Sequence, residues 1–334
     1  MPAAAGPRKP PKHVLCGTPL DGDDLVMFPV SVAVLICTYK RPAGLRSLLA
    51  SLNKLAIDQG LADVTVYVID NDASGSAREV VEASAMAWPT QYVVEPSAGI
   101  PAARTAALAN GLAHDFVAFV DDDEVVSPGW LADLLRSAAT YGSDAVAGPV
   151  RYEYPPNTPA WIERGGFFDS PDLRPGTEMP FAATNNLLMS CSRLREVGLY
   201  QFDQRFAFTG GSDTAFTKEF TESGGRLTWS DRGEVRELVP PERATPRWVL
   251  KRAYRTGNGL ARIQLMRRKN KVSVMDQFVL IVRGGARIAS GMIYVVAGLV
   301  QRNPTSVGQG IRRAARGAGV IGAAFGHAYA EYKR

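Results

Sequence analysis

Apolar runs alternate with helical repeats along the first half of the chain. Val32–Ile36 is an unbroken apolar run, as parallel strands buried on both faces show. Leucines follow it at the three- and four-residue spacing of an amphipathic helix. The predicted strands are Val32–Ile36, Val64–Ile69, Gln91–Val94, Phe116–Val120 and Ala145–Val150, and the predicted helices are Ala43–Leu55, Ser76–Ala87, Ala102–Leu112 and Pro128–Tyr141. This alternation predicts an α/β fold with a Rossmann-like, doubly wound, mostly parallel sheet.

The second half of the chain has a different pattern. Residues 151–180 are rich in proline and glycine and predict an irregular loop or flap. Three further apolar runs (Asn186–Met189, Leu227–Trp229 and Val235–Val239), a helix at Asp213–Glu222 and three later helices at Pro246–Arg268, Val274–Val300 and Ile311–Tyr332 follow. We therefore expect a lead over residues 1–29, an α/β domain over 30–240 and a helical region over 241–334.

Polar clusters follow three of the predicted strands, at the edge where doubly wound sheets bind ligands. The first two clusters are 38–42 and 70–74. The third, Asp121–Glu124, places four acids in a row, which is costly unless a cation or hydrogen-bond donors compensate them. Oxygen ligands of this kind suit Mg²⁺ or Mn²⁺. A solvated acidic turn is the alternative, and it is disfavoured by the position directly after a buried strand.

Other common sites find no support in the sequence. No GxGxxG follows the first strand and no GxxxxGK[ST] occurs, which disfavours dinucleotide dehydrogenases and P-loop enzymes. The three histidines do not cluster. The three cysteines are far apart and odd in number, so neither a disulfide framework nor a zinc site is expected.

Charge divides the chain near Pro240. The residues beyond it carry 18 Lys and Arg against 3 Asp and Glu, whereas residues 1–240 carry 20 against 30. Nine of the basic residues lie between Arg247 and Lys271, interleaved with apolar ones. Such a basic amphipathic segment is typical of proteins that bind an anionic membrane surface. Nucleic acid is an alternative partner, but we do not expect it because no nucleic-acid-binding module accompanies the basic residues. A third interpretation is that these residues form a solvated helix with no partner.

Two segments bear on location. Ile288–Gln301 is uncharged but has only 14 residues, short of the ~20 that span a bilayer, and predicts a buried, interfacial or re-entrant helix. Residues 1–13 are proline-rich and basic with no apolar run behind them, and predict a disordered lead without a secretory signal. We expect a cytoplasmic protein, peripheral on the inner face of the cell membrane.

Five sequence blocks together resemble the family 2 glycosyltransferases. The blocks are Val34–Arg41, Val68–Ser74, Gly99–Arg104, Phe119–Glu124 and Gly210–Thr214, in order between residues 30 and 240. The stretch from Val120 to Trp130 is similar to bacterial exopolysaccharide transferases of the succinoglycan type. The resemblance implies a GT-A fold and sugar transfer with inversion at the anomeric carbon, from a nucleotide-sugar donor such as a UDP-sugar to a glycan or lipid-diphosphate-linked acceptor.

The resemblance also implies roles for individual residues. Thr38, Tyr39 and Arg41 would lie along the nucleotide, Asp70 would contact the base, and Arg104 would approach the base or the phosphates. Asp121 and Asp122 would bind the nucleotide sugar. Asp123, together with Asp121, would bind the Mg²⁺ or Mn²⁺ ion. Asp213 matches the family's general base, although Ser212 stands where the family commonly has Glu. The alternative for Asp213 is an N-cap on the helix that follows it.

Two other functions stay open at this point. A nucleotidyltransferase would have a similar sheet, but its glycine-rich basic loop is not present at Thr38–Pro42. A non-catalytic sugar- or lipid-binding subunit would not need both Asp123 and Asp213.

Overall fold

A computed structural model describes residues 29–57, 60–168, 173–266 and 273–328. The lead predicted over residues 1–29 lies outside these ranges except for its last residue. Four of the nine basic residues between Arg247 and Lys271 lie outside them too, as do the last residues of the predicted final helix.

The α/β architecture predicted from the sequence is confirmed. A seven-stranded sheet has the order β3-β2-β1-β4-β8-β6-β9. Its strands are β1 (Val30–Thr38), β2 (Ala62–Asp70), β3 (Thr90–Val94), β4 (Phe116–Asp121), β6 (Ala145–Ala147), β8 (Asn186–Ser190) and β9 (Leu227–Trp229). A second sheet joins β5 (Glu124–Val126), β10 (Val235–Leu238) and β7 (Val150–Glu153) in that order. The main sheet is mostly parallel, because only β8 runs against its neighbours β4 and β6.

Helices cover both faces of the main sheet, which explains the unbroken apolar strands. They are α1 (Pro42–Leu52), α2 (Arg78–Glu82), α3 (Ile100–Gly111), α4 (Trp130–Tyr141), α6 (Cys191–Glu196) and α7 (Ser212–Glu222). The short helix α5 (Ala160–Glu163) packs instead against the C-terminal helices. Leucines of α1 and α4 pack on one face, and apolar residues of α3 and α7 pack on the other. Val32–Ile36 of β1 lies between these layers with no exposed surface.

The single strand predicted over Ala145–Val150 is wrong, because the chain changes sheets inside it. Ala145–Ala147 belongs to the main sheet and Val150–Glu153 to the small one. The Asn186 side chain donates to the carbonyls of Pro149 and Gly233 between them, at 3.0 and 2.8 Å. A β-carbon on Gly148 would come within 2.5 Å of that amide, so glycine is required at the crossing.

Other predicted boundaries shift for local reasons. The helix predicted over Ser76–Ala87 is only Arg78–Glu82, and Ala85 just beyond it has a positive φ of 44°. The region predicted as an irregular loop contains β7 and α5. The last helix, α10 (Pro304–Ala324), begins seven residues earlier than predicted. Asn303 caps it by accepting from two backbone N–H groups, and the helix tolerates glycines that weaken the sequence signal.

The C-terminal helices pack against the α/β domain. Helix α8 (Pro246–Met266) places Val249 and Ala253 in an apolar cluster with Ile162, Phe167 and Phe168. Its Arg252 donates to the carbonyl of Phe167 at 3.1 Å. The division at residue 240 stays a proposal, and the two parts share this cluster.

Helix α9 (Val274–Val300) has the predicted bounds and pairs with α10 along a seam of glycines. Gly284, Gly291 and Gly298 recur every seven residues on α9 and meet Gly317, Gly310 and Val307 of α10. A β-carbon at Gly291 would lie 2.6 Å from the Gly310 carbonyl, so the two backbones touch. The seven-residue repeat keeps one stripe of α9 against its partner.

The opposite side of α9 is apolar and exposed. Its exposed side chains are Met275, Phe278, Val282, Met292, Ile293, Val296, Leu299 and Val300. The helix has 27 residues and a mean hydropathy of 1.5 over its most apolar 18-residue window, of which 17% is buried. By length and composition alone the whole helix could cross a membrane, and its uncharged part, Ile288–Gln301, is the 14-residue stretch noted in the sequence. The buried, interfacial or re-entrant placement of that stretch stays a prediction.

Candidate active site

The acidic run after β4 divides into residues that face the cleft and residues that face inward. Asp121 and Asp123 keep 42% and 27% of their side-chain surface exposed. Asp122 and Glu124 are buried. Asp122 and Asp123 form the turn between β4 and β5, and this turn directs the Asp122 side chain inward and the Asp123 side chain outward. Two carboxylates of the run therefore face solvent together.

Asp122 joins the ends of β1 and β4 from within. It accepts a hydrogen bond from the Thr38 hydroxyl at 2.7 Å and one from Arg41 at 3.0 Å. The same guanidinium nitrogen of Arg41 donates to Asp123 at 2.8 Å. The structure thus brings these four predicted site residues together and makes Asp122 the buried link among them.

Asp121 lies in an environment that favours its neutral form. Its partial removal from water is the main cause that raises its pKa to about 6; Arg104, whose guanidinium lies 3.6 Å away, lowers the pKa, whereas Asp123, Asp122 and Asp213 raise it. Glu124 accepts from the Asp121 amide at 2.9 Å, and burial raises its pKa well above the ordinary value. The charge of Asp213 therefore acts on the same cleft.

The acidic run is compensated in part by side chains, which the sequence did not suggest. Arg104 pairs with Asp121, and Arg41 pairs with Asp122 and Asp123. In the part of the chain described, no three His, Cys, Asp or Glu residues group as metal ligands. Two exposed carboxylates still fit Mg²⁺ or Mn²⁺, since such ions commonly use one or two carboxylates and complete their shell with substrate phosphates and water.

Asp70 lies at the expected edge of the sheet, but its carboxylate already accepts hydrogen bonds from other groups of the protein. It pairs in register with Thr38, and its side chain is completely buried. Its carboxylate accepts from the amides of Asp72 and Ala77 at 3.0 and 2.7 Å and from the Tyr92 hydroxyl at 2.7 Å. In this structure Asp70 holds the loop after β2; its role at the base stays a prediction.

The neighbouring residues Tyr39 and Lys40 lie at the surface. Tyr39 is 39% exposed, and the Lys40 ammonium lies 5.2 Å from the centre of its ring. The same ammonium lies 4.0 Å from the carboxylate of Asp72. An exposed aromatic face at the carboxyl end of β1 is suited to contact with a nucleotide, and the place of Tyr39 along the nucleotide stays a prediction.

Asp213 lies in the first turn of α7 with its side chain half-buried. Gly211 is the N-cap residue, with a φ of 94°, and no side chain caps the helix. The N-cap alternative for Asp213 is therefore wrong. Its carboxylate accepts from the Thr214 amide at 2.8 Å. Ser212 is buried, so it offers no exposed group in place of the family's glutamate.

Two site residues were missed from the sequence, Glu237 and Arg243. β10 pairs with β5 so that Glu237 lies opposite Glu124. Burial is the main cause that raises the pKa of Glu237 to about 7; Asp123 and Asp121 raise it further, and Arg252 and Arg243 lower it. Arg243 lies 3.5 Å from Glu237 and 3.8 Å from Asp123. Their only sequence signals were an acid in a short strand and one cation among the many beyond Pro240.

Comparisons with known proteins bear on the family and the fold. The family profile described as glycosyl transferase family 2 matches residues 33–198. Succinoglycan biosynthesis protein ExoM of Rhizobium meliloti (strain 1021) is 37% identical over 230 residues, which are 68% of this chain and 73% of that protein. Glycosyltransferase AglE of Haloferax volcanii is 22% identical over 286 residues, with 84% of this chain and 85% of that one covered.

Among solved structures, the mannosyltransferase PcManGT from Pyrobaculum calidifontis, in complex with GDP-Man and Mn²⁺, superposes with a TM-score of 0.57. The match covers 89% of both chains at 15% identity, so it speaks for the fold alone. The GT-A fold expected from the sequence is confirmed.

Proposed function

The chain belongs to glycosyl transferase family 2, and on that premise we propose that it is an inverting, metal-dependent transferase. Its donor is a nucleoside-diphosphate sugar, with UDP-sugars as first candidates, and its acceptor is a hydroxyl of a glycan or lipid-diphosphate-linked sugar. The observation that carries the proposal is the pair of exposed carboxylates, Asp121 and Asp123, beside Arg104 and Arg41 at the carboxyl edge of the sheet. Asp213 comes from a different element, yet its charge raises the pKa of Asp121.

The carboxylates divide the chemistry between them. A sugar hydroxyl is a poor nucleophile, so a base must remove its proton as it attacks, and Asp213 takes that part. Asp121 and Asp123 would hold a divalent ion, which would supply charge neutralisation for the departing diphosphate. Arg104, whose side chain is largely buried against Asp121, adds a fixed positive charge at that side of the cleft.

We also propose a place for this reaction. ExoM is named for succinoglycan biosynthesis, and by analogy this chain acts in exopolysaccharide biosynthesis. The exposed apolar side of α9 and the basic residues beyond Pro240 hold the enzyme on the cytoplasmic face of the membrane, where a lipid-diphosphate-linked acceptor presents its sugar.

Hydrolysis and transfer assays with a panel of UDP-, GDP- and dTDP-sugars, with and without Mn²⁺, test the function. We expect slow hydrolysis of one donor, stimulated by Mn²⁺ and abolished by chelator. Release of pyrophosphate from a nucleoside triphosphate plus sugar phosphate would indicate a nucleotidyltransferase. Binding of sugars without turnover of any donor would indicate a non-catalytic subunit.

A further inference from the structure

Arg243 reaches the candidate active site from the segment that leads into α8. It lies five residues after β10 ends at Leu238, and three residues before α8 begins at Pro246. One nitrogen of its guanidinium is 3.5 Å from Glu237 and 3.8 Å from Asp123, and its side chain is 26% exposed. Trp248 flanks the guanidinium, with the ring centre 5.8 Å away. The Arg243 side chain therefore lies between Glu237 and Trp248 on one side and the cleft on the other.

Both contacts are ion pairs without a hydrogen bond, and they differ in how far the carboxylate is buried. Glu237 is mostly buried, with 13% of its side chain exposed, so it is a fixed partner. Asp123 is more open, and at 3.8 Å its contact with Arg243 is an ion pair without a hydrogen bond. Arg41 makes the short contact with Asp123, at 2.8 Å. A cation that binds Asp123 must compete with both guanidinium groups for that carboxylate.

We propose that Arg243 is a further donor-binding residue, positioned by Glu237, which neutralises Asp123 in the empty cleft and binds the diphosphate of the donor when a divalent ion takes Asp123. This inference rests on the proposed function. It makes the segment before α8 part of the active site, because the residue that completes the phosphate pocket comes from it.

The chemistry of the side chain suits this exchange. A guanidinium binds phosphate through two parallel hydrogen bonds, and its planar group can lie against an aromatic ring, as it does beside Trp248. A phosphate held by an ion at Asp123 would lie within a few ångströms of the present position of Arg243. Glu237 keeps the side chain from turning into solvent when Asp123 is no longer its partner.

The test compares Arg243→Met with Arg236→Met. Arg236 is one residue before Glu237, is 63% exposed, and pairs with Glu153 and Glu234 away from the cleft, so it is a matched loss of charge. Calorimetric titrations measure three affinities in each protein. They are Mn²⁺ alone, UDP or GDP (whichever the parent binds more tightly) at saturating Mn²⁺, and the corresponding nucleoside.

For Arg243→Met we expect opposite changes. The nucleoside diphosphate binds about tenfold to hundredfold more weakly, the range of a charged hydrogen bond, while Mn²⁺ alone binds more tightly because a competing cation is gone. Nucleoside binding and all affinities of Arg236→Met match the parent. Unchanged diphosphate affinity, or weaker Mn²⁺ binding, in Arg243→Met overturns the proposal. A parent that binds neither UDP nor GDP with Mn²⁺ present overturns the proposed function itself.

Glu237→Gln tests the positioning role. We expect it to weaken diphosphate binding less than Arg243→Met, and the double variant to bind no more weakly than Arg243→Met alone, because Glu237 acts through that side chain. Independent, additive losses would show that Glu237 acts on the fold or on the ligand directly, and would overturn its assignment.

Discussion

The exposed apolar side of α9 gives the sharpest test of membrane attachment. We choose Ile293→Asp, because Ile293 is 68% exposed and its replacement leaves the core intact. Leu238→Asp is the matched control, since Leu238 is also 68% exposed but lies on β10 in the α/β domain. Both variants make the same change in charge and remove an aliphatic side chain of the same size.

The expected effect follows from the exposed surface. Full burial of an isoleucine side chain is favourable by about 1.5–3 kcal/mol, so transfer of about two thirds of that surface into acyl chains contributes about 1–2 kcal/mol. A negative charge near anionic headgroups costs about 1 kcal/mol more. Together these terms predict that Ile293→Asp binds vesicles about 30- to 150-fold more weakly.

Sedimentation with vesicles of anionic and of neutral lipid measures this binding at 0.1 M and 1 M salt. The parent requires anionic lipid, and high salt reduces its binding because the Debye length falls from about 10 to about 3 Å. The apolar contribution persists at 1 M salt in the parent and in Leu238→Asp. If Ile293→Asp sediments like Leu238→Asp, α9 does not insert. If the parent ignores anionic vesicles at 0.1 M salt, the attachment proposal is wrong altogether.

Further outcomes follow from the cleft and the core. Asp213→Asn should lower turnover about 10²- to 10⁴-fold with little change in donor affinity, measured by steady-state transfer; lost donor binding would contradict its role as base. Asp123→Ala should remove Mn²⁺-dependent nucleotide binding in calorimetry at an unchanged melting temperature, and full activity in it refutes the metal assignment. Because the pKa of Asp121 is raised to about 6, Mn²⁺-dependent donor binding should be complete above about pH 7 and lost as pH falls through 6, and a profile that stays flat from pH 5 to 7 would contradict this. Asn186→Leu leaves the Trp130 indole N–H and two carbonyls without partners and should lower the free energy of unfolding by about 3 kcal/mol or more, seen as a lower denaturation midpoint.

Local pattern was sufficient for much of the fold and for the acidic side of the cleft. Stretches of about a dozen residues were enough to predict the apolar run of β1, the leucine face of α1 and the acidic cluster after β4. Because parallel strands end at one edge of the sheet, their order alone brings Thr38 and Asp121 together.

Features set by pairing across long separations could not be read in this way. β8 pairs antiparallel with β4, and its apolar run looks the same in either direction. Glu237 lies opposite Glu124 of the acidic run only because β10 pairs with β5, and nothing in the intervening residues specifies that partner. Arg243 is one of many basic residues beyond Pro240, and their total charge indicated a membrane-binding surface. Its own contacts lie in the cleft.

The glycine seam between α9 and α10 has a geometric consequence. With backbone against backbone at Gly291 and Gly310, α9 cannot roll about its axis without a clash, so its apolar side points in one fixed direction relative to the α/β domain. Helix α10 in turn packs on α8 and α5, which fixes the seam to the rest of the protein. On the proposed attachment, the cleft stands at a set height above the bilayer. The enzyme would then select lipid-linked acceptors by the distance of their terminal sugar from the membrane.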